Sequence, residues 1–476
     1  MKAVFVILLL ASIICSQEIT VREPDGFGAM RILQPSECLS AERRISILEA
    51  NRSVKDSLRK ANPSVNNFLN SGSSVLFSLP LRPAPGLQDS GFYTITSFPD
   101  HDPAYPDHLL DYNGGRRTYD LSGGYNHKGT DYIPWPFVWY KMDYNQVEVI
   151  AAERGVIIGK EDGNYDRNCE ISGNPWNAVY IAHSDNSVAW YGHLKKHTLT
   201  SKPVGSVVEK GEYLGFVGSS GSSSAPHLHL EVYDQNNQLI DPYYGPFNPT
   251  TSVSWWGEQE PYFNSMVNAV FTHGAAPVFP PCPQQEILNL KDNFMQGEKL
   301  YLAAYYKDHC SADTSKYTVF YPEGTVANQW LHSLTDSFYA ATYLYWYFTI
   351  PLSFPSGEYT FRVDFKGRVY QHRFNIGQPG GVNGESESPA EFILRQNRPN
   401  PFNASTMISF AVPELCNVRL TVYNLAGREM AVLINEMLGA GEHTVRFDAS
   451  ALPSGTYIYK ITAGKYNAAS KMSVVK

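Results

Sequence analysis

The sequence predicts a mostly β protein, and three observations carry this prediction. Charged residues make up only 18% of the 476-residue chain, whereas aromatic residues make up 13% and include 31 tyrosines. The 36 glycines and 31 prolines favour turns over long helices. From about residue 74 onward, short alternating apolar and polar runs recur between turn-forming residues, as in antiparallel strands. At about 150 residues per domain, the chain has room for roughly three domains.

The first 16 residues have the anatomy of a cleaved secretory signal, with one lysine, an apolar run from Ala3 to Ile14, and then small or polar residues. Ile14 is bulky where a lipoprotein signal has a small residue, which disfavours a lipid anchor at Cys15. No segment has the roughly 20 apolar residues of a spanning helix, so we expect no membrane span. The net charge of −8 provides no basic stripe, so we expect no nucleic-acid partner.

A short helix is predicted in the N-terminal segment 17–74. Between Ala41 and Ala61, the residues Ile47, Val54 and Leu58 recur at helical spacing with charged residues between them, and a proline ends the pattern. The segment is either a propeptide or a helix that packs on the next domain. The sequence does not separate these readings, and packing is the simpler one.

The cysteines suggest one disulfide. Five follow the signal, namely Cys38, Cys169, Cys282, Cys310 and Cys416. In an oxidising compartment some of them pair, and the odd number leaves at least one over. Cys282 and Cys310 fall in the same predicted domain and are the expected pair. None of the five has the CxxC spacing of a cysteine zinc site.

Composition and turn signals divide the rest of the chain. A β-rich domain is predicted over 75–250, where strand-like runs end in Gly, Asn, Asp or Ser turns. A linker is expected over 251–281, followed by an immunoglobulin-like β-sandwich over 282–377. A second linker over 378–390 has a flexible Gly, Ser and Pro composition, and another small sandwich is predicted over 391–476.

Two short segments of the 75–250 domain place polar side chains on one face of a strand. In "PHLHLEV", alternation puts His227, His229 and Glu231 on one face and apolar residues on the other. In "HKGTD", the same alternation puts His127 and Asp131 on one face, with a glycine between them that presents no side chain. Two such strands can therefore converge on one metal ion.

His127, Asp131 and His229 form a two-histidine, one-carboxylate set. This donor set suits Zn²⁺, one per chain, and leaves a fourth position open for water. An open position indicates catalysis, because zinc lowers the pKa of its water from about 16 towards 7 and polarises a scissile carbonyl.

Two further histidines are candidates for handling the proton. His227 shares a strand face with His229, and His193 lies in "WYGHL". A neutral imidazole accepts the proton of the water and a protonated one hydrogen-bonds the oxyanion, so either residue suits either role. Glu231, on the same face, is placed to orient a ligand imidazole.

The stretch from about 120 to 245 resembles the lysostaphin-type, or LytM-type, zinc metallopeptidases. The family signature joins an H-x-x-x-D segment, an "HL" histidine and a "PHLHFE" segment, and this chain has "HKGTD", "YGHL" and "GFVGSSGSSSAPHLHLEV". Position by position, the resemblance implies zinc on His127, Asp131 and His229, with His193 and His227 as catalytic histidines. It implies cleavage of peptide bonds in short, often glycine-containing segments, chiefly in peptidoglycan stem peptides or cross-bridges.

Two departures from the family pattern affect the expected substrate. The insertion "IPWPFVWYKMDYNQ" follows the first motif, and its residues Trp135, Phe137, Trp139 and Tyr140 are placed to wall a substrate groove. "SSSAP" replaces the usual "STGP" in a loop that we expect to lie against the substrate.

The last ~80 residues resemble the type A C-terminal sorting domain of the type IX secretion system. The segments that carry this resemblance are "QNRPNPFNASTMISFAVPE", "VYNLAGREMAVLINEMLGAGEHTVRFDAS" and "LPSGTYIYKITAGKYNAASKMSVVK". The resemblance implies an address read by the outer-membrane secretion machinery of a double-membraned bacterium.

These observations predict a secreted zinc metalloendopeptidase at the cell surface or in the medium, acting on peptidoglycan peptides. Two alternatives are a secreted protease on Gly-rich proteins and a surface binding protein without catalysis. The intact set of metal-ligand types argues against the second alternative.

Overall fold

The computed structural model describes residues 20–30, 35, 37–170, 173–282, 285–311, 313–377, 392–397, 400–403, 405–413, 416–438, 441–449 and 452–475. The predicted signal at 1–16 and the predicted linker at 378–390 lie outside these residues. The described residues divide into two compact units, one within Met1–Gln378 and one within Pro379–Lys476. The described residues form 28 strands and three helices, which confirms the mostly β prediction. The immunoglobulin-like type of the sandwiches stays a prediction.

The N-terminal segment contains two strands and two helices. They are β1 (Thr20–Val21), β2 (Gly26–Met30), α1 (Ala41–Ala61) and α2 (Pro63–Leu69). Helix α1 has the predicted bounds. It begins because the Ser40 hydroxyl accepts a hydrogen bond from the Arg43 backbone N–H at 3.2 Å. It ends at Asn62, whose side chain caps α2 in turn.

The 75–250 region is built from eleven strands and one short helix. In chain order they are β3 (Leu81–Pro83), β4 (Tyr93–Ser97), β5 (Thr130–Pro134), α3 (Val138–Asp143), β6 (Val147–Ile150), β7 (Gly155–Glu161), β8 (Ala178–Ala182), β9 (Val188–Gly192), β10 (Val207–Val208), β11 (Tyr213–Phe216), β12 (Leu228–Tyr233) and β13 (Leu239–Ile240). The central sheet has the order β10-β7-β8-β9-β12-β5-β4, with β13 also pairing with β12. Strands β11, β6 and β3 form a smaller sheet.

Both faces of the central sheet are buried, against different partners. On one face, Leu228, Leu230 and Val232 of β12 join a core that includes the smaller sheet. On the other face, the sheet packs with Ile47 of α1 and Leu69 of α2 in a second core. The sheet and loop residues in this core include Val156, Ile158, Trp176, Tyr180, Trp190 and Tyr233. Since side chains alternate along a strand, the polar residues of β12 point to the side covered by α1.

A two-sheet sandwich follows. Its strands are β14 (Met266–His273), β15 (Asn293–Phe294), β16 (Lys299–Cys310), β17 (Thr314–Phe320), β18 (Val326–Ser333), β19 (Phe338–Thr349), β20 (Gly357–Phe365) and β21 (Arg368–Ile376). The sheets have the orders β1-β18-β17-β20-β21-β15 and β14-β16-β19-β2. The structure thus places a strand, β14, within the segment 251–281 predicted as a linker. Val267 and Val270 are buried in the sandwich core, which holds this strand against β16.

The C-terminal unit is a second pair of sheets. Its strands are β22 (Ile393–Leu394), β23 (Ser405–Val412), β24 (Cys416–Asn424), β25 (Glu429–Leu438), β26 (Gly441–Asp448), β27 (Gly455–Ala463) and β28 (Tyr466–Val474). Strands β22, β23 and β26 form one sheet, and the other has the order β25-β24-β27-β28. Ile408, Phe410, Leu420 and Tyr459 are among the buried residues between them. In the part of the chain that the structure describes, no helix is both long and apolar enough to traverse a lipid bilayer.

The disulfide joins Cys169 to Cys282, so the expected pairing of Cys282 with Cys310 is wrong. The pairing with Cys169 depends on a tertiary contact between the two domains. Phe279 stacks on Phe137 of the 75–250 region with ring centroids 4.9 Å apart, and this contact brings the following cysteine to the loop that carries Cys169. Cys310 ends β16, on another part of the sandwich.

We expect the Cys282→Ser variant to lose about 2–5 kcal/mol of unfolding free energy, because the bond closes a loop with a sequence separation of 113 residues. Guanidinium unfolding under non-reducing conditions measures this loss, with Cys310→Ser as the matched control that keeps the bond. A peptide containing Cys282 linked to Cys310 in a non-reduced digest would contradict the assignment.

Candidate metal centre and its relatives

The central sheet brings the predicted site residues together through the pairing of β12. In this register His229 lies opposite Asp131 of β5 on one side and opposite Gly192, the last residue of β9, on the other. His193 directly follows β9, and His227 directly precedes β12. Residues distant in sequence therefore meet at one end of strands β5, β12 and β9.

Three of these residues point their ligand atoms at one another. Nε2 of His127 lies 3.1 Å from Oδ2 of Asp131, and Nδ1 of His229 lies 2.8 Å from Oδ1 of the same carboxylate. The two imidazole nitrogens are 3.4 Å apart. Bonds of about 2.0–2.1 Å in a tetrahedral zinc site separate ligand atoms by about 3.3 Å. The donor set and its spacing therefore fit a zinc ion.

Hydrogen bonds fix the ring orientation of both histidines in this set. Nδ1 of His127 donates to the backbone oxygen of Phe98 at 2.9 Å, which leaves Nε2 as the atom facing Asp131. Nε2 of His229 lies 2.8 Å from Oε1 of Glu231, which leaves Nδ1 facing Asp131. Glu231 thus contacts His229 in the way that partners behind metal-bound histidines do.

His193 and His227 lie beside this set, with ring centroids 4.4 Å apart. Nδ1 of His193 donates to the backbone oxygen of Ser220 at 2.6 Å, and Nδ1 of His227 donates to that of Ala225 at 2.8 Å. Nε2 of His227 lies 3.7 Å from Oδ1 of Asp131. Nε2 of His193 is buried, and among the described residues no hydrogen-bond partner reaches it. Ring nitrogens of His193, His227 and His229 lie within 4.8 Å of one another, so the three histidines form one cluster.

The buried charges of this cluster shift one another's pKa values. Burial lowers the pKa of His127, but the Asp131 carboxylate outweighs burial and raises that pKa to about 9. Burial raises the pKa of Asp131, yet His127 and His227 hold it well below its ordinary value. Burial and the nearby His227 lower the pKa of His193. Burial raises the pKa of Glu231, but Arg44 and His229 bring it down to about 2. Asp131 and Glu231 are therefore both ionised at neutral pH.

Comparison with known proteins identifies the domain that holds this cluster. Residues 126–242 match Peptidase family M23, and residues 398–476 match the description Secretion system C-terminal sorting domain. The chain therefore carries an M23 peptidase domain. It also carries a C-terminal sorting domain, which confirms the resemblance seen in the sequence of the last ~80 residues.

The curated relatives match over short stretches of the chain. Peptidoglycan DD-endopeptidase ShyC of Vibrio cholerae is 31% identical over 120 residues, which cover 24% of this chain and 22% of the relative. Lysostaphin of Staphylococcus staphylolyticus is 30% identical over 112 residues, 22% of this chain and 21% of lysostaphin. The matches thus span about a fifth of the length of these relatives. Among solved structures, the lysostaphin catalytic domain from Staphylococcus simulans is 27% identical, covering 26% of this chain and 83% of that one, with a TM-score of 0.20.

The aromatic insertion of the M23 domain does not wall a groove as expected. Trp135, Phe137 and Trp139 are buried in a cluster with Phe279 and Tyr305 from outside the domain. The prediction of a groove wall is wrong for these three, because their rings hold the M23 domain against the sandwich. Tyr140 is half-buried beside them.

Two residues of the centre come from the N-terminal segment and were not predicted there. Sγ of Cys38 lies 3.7 Å from Nδ1 of His229. Arg44 of α1 pairs with Glu231 and donates to the Tyr233 hydroxyl at 2.9 Å. The odd number of cysteines is the sequence signal that points toward a cysteine outside disulfides. Nothing in their spacing singles out Cys38.

Gly129 of the "HKGTD" motif is required by close packing. A Cβ at this position would lie 2.6 Å from the His229 ring and 2.8 Å from the backbone oxygen of Leu230. We expect Gly129→Ala to push the His229 ring off its position, costing about 1–3 kcal/mol of stability and roughly tenfold or more in zinc affinity.

Chemical unfolding and a zinc competition titration measure the two effects. Gly123→Ala is the matched control, because a Cβ there meets nothing within 4 Å. Equal zinc affinities of the two variants would contradict the role assigned to Gly129.

Proposed function

We propose that this protein is a secreted zinc metalloendopeptidase that hydrolyses peptide bonds of peptidoglycan. The observation that carries the proposal is the convergence of the ligand atoms of His127, Asp131 and His229, with His193 and His227 beside them: ring nitrogens of His193, His227 and His229 lie within 4.8 Å of one another. Membership of the domain in peptidase family M23 supports it.

We assign the metal to Nε2 of His127, the carboxylate of Asp131 and Nδ1 of His229, one Zn²⁺ per chain. When bound there, zinc supplies a Lewis acid that polarises the scissile carbonyl and makes a water acidic enough to attack at neutral pH. Three protein ligands leave one position of a tetrahedral site for this chemistry, which is the arrangement of catalytic zinc. Glu231 keeps the His229 ring oriented by accepting a hydrogen bond from its Nε2–H.

We assign the proton transfers to His193 and His227. Their Nδ1 protons are held by the backbone oxygens of Ser220 and Ala225, so each ring works through Nε2. A neutral Nε2 accepts the proton of the attacking water, and a protonated Nε2 stabilises the oxyanion and then protonates the leaving amine. Burial disfavours charge on His193, which suits a residue that starts the reaction neutral.

The substrate class is inferred from the relatives. Peptidoglycan DD-endopeptidase ShyC is named for its action on peptidoglycan, and this chain is 31% identical to it over 120 residues. The sorting domain at 398–476 implies export, and we propose the cell surface or the medium as the destination.

We expect His229→Ala to lose both zinc and hydrolysis, since one of three protein ligands is gone. His193→Ala should retain zinc and lose about 10²–10⁴-fold in kcat, the usual contribution of a general acid or base. Metal analysis and digestion of purified peptidoglycan, followed by mass spectrometry of the fragments, measure both. The exposed His108 provides the matched control, because His108→Ala should change neither quantity. Near-normal turnover in His193→Ala would contradict its assignment.

We expect deletion of residues 391–476 to retain the protein inside the cell, because the sorting domain is the address that the secretion machinery reads. Fractionation and immunoblotting of cells and medium measure this. A truncated protein that still reaches the medium would rule out the sorting role.

A further inference from the structure

The proposed catalytic centre is closed. His127, Asp131, His193, His227 and His229 are between 0% and 2% exposed. An endopeptidase has to admit an extended peptide between its metal and its proton-transferring histidines, so this conformation does not bind substrate. The cover comes from the chain's own N-terminal segment.

Cys38 reaches the metal centre itself. Its thiol and the ring nitrogens of His127 and His229 form a group whose ligand atoms all lie within 4.8 Å of one another. Sγ is 3.7 Å from Nδ1 of His229. For a tetrahedral zinc with a Zn–S bond of about 2.3 Å and a Zn–N bond of about 2.0 Å, the expected separation is about 3.5 Å. The sulfur therefore lies at the distance from the His229 nitrogen that two ligands of one zinc ion would have.

The surroundings of Cys38 position it for this contact. Ser40 caps α1 two residues later, which fixes where the chain turns into the helix. Leu39 is buried in the core shared by the central sheet and α1. The cavity beside Cys38, about 290 Å³, is lined by residues 37–40, Arg43, residues 173–175 and Ser222. Residues 37–40 thus share a cavity with Ser222 of the serine-rich loop that we expect to face substrate.

Arg44 forms a second attachment to the same centre. Its guanidinium pairs with Glu231, the residue that contacts His229 from behind, and both groups are almost fully buried. A buried carboxylate needs a partner of opposite charge, and here the partner belongs to the covering segment. Cys38 and Arg44 therefore contact His229 and its supporting carboxylate from one side of the sheet.

We infer that Cys38 is the fourth zinc ligand of a latent form, and that the segment 37–69 is a built-in inhibitor of the M23 domain. This inference rests on the proposed function, because it assigns the regulation of the same centre. The sulfur occupies the position that the attacking water needs. Activation requires residues 37–40 to leave: the Zn–S bond breaks, water enters the vacated position, and the released thiolate takes up a proton from solvent.

A measurement on the unmodified full chain tests the ligand directly. X-ray absorption at the zinc edge should show one sulfur at about 2.3 Å together with nitrogen or oxygen ligands at about 2.0–2.2 Å. A shell of nitrogen and oxygen alone would overturn the inference. The Cys38→Ser variant should lose the sulfur contribution and keep one zinc, whereas Cys310→Ser should keep both. Sulfur that persists in Cys38→Ser would also overturn it.

The same variants test latency. Cys38→Ser in the full chain should hydrolyse peptidoglycan at least tenfold faster than the unmodified chain and Cys310→Ser. Unchanged hydrolysis with zinc retained would overturn the inhibitory role. A chain that binds no zinc, or that retains it in His229→Ala, contradicts the proposed function itself. Zinc that depends on His229 but has no sulfur ligand contradicts only the role of Cys38.

Discussion

The pairing of β12 between β5 and β9 is the constraint on which the rest of the centre depends. Alternation along β12 sends Leu228, Leu230 and Val232 into one core and leaves His229 and Glu231 on the opposite face. A shift by one residue would exchange these faces and bury both polar side chains in an apolar core. Burial of the apolar face of β12 thus keeps His229, on its polar face, in register with Asp131.

His229 connects the metal centre to the N-terminal helix. Nδ1 of its ring faces Asp131, Nε2 is held by Glu231, and Glu231 is in turn paired with Arg44 of α1. Each of these groups is buried, and removing one partner of a buried ion pair typically costs about 3–5 kcal/mol. Asp131, His229, Glu231 and Arg44 consequently form one connected network, in which each buried polar group has a neighbour as its hydrogen-bond or ion-pair partner.

The N-terminal segment is integrated into both parts of the first unit. Strands β1 and β2 add to the edges of the two sandwich sheets, whereas α1 and α2 pack on the central sheet of the M23 domain. The Cys169–Cys282 bond and the aromatic cluster around Phe137 and Phe279 join the same two parts from elsewhere. A segment anchored in this way is held over the centre at high effective concentration, which favours intramolecular contact over binding of a free peptide.

The sequence by itself determined the mostly β class, the bounds of α1 and the residue types of the centre. These features depend on local patterns: period-two alternation in "PHLHLEV", helical spacing from Ala41 to Ala61, and turn residues between strands. The M23 and sorting motifs are equally local. Only the tertiary structure decided that Cys282 pairs with Cys169, that β14 belongs to the sandwich, and that Cys38 and Arg44 reach His229. These contacts join residues that are far apart in the chain, and such contacts leave no periodic signal in a single sequence because they depend on which faces pack together.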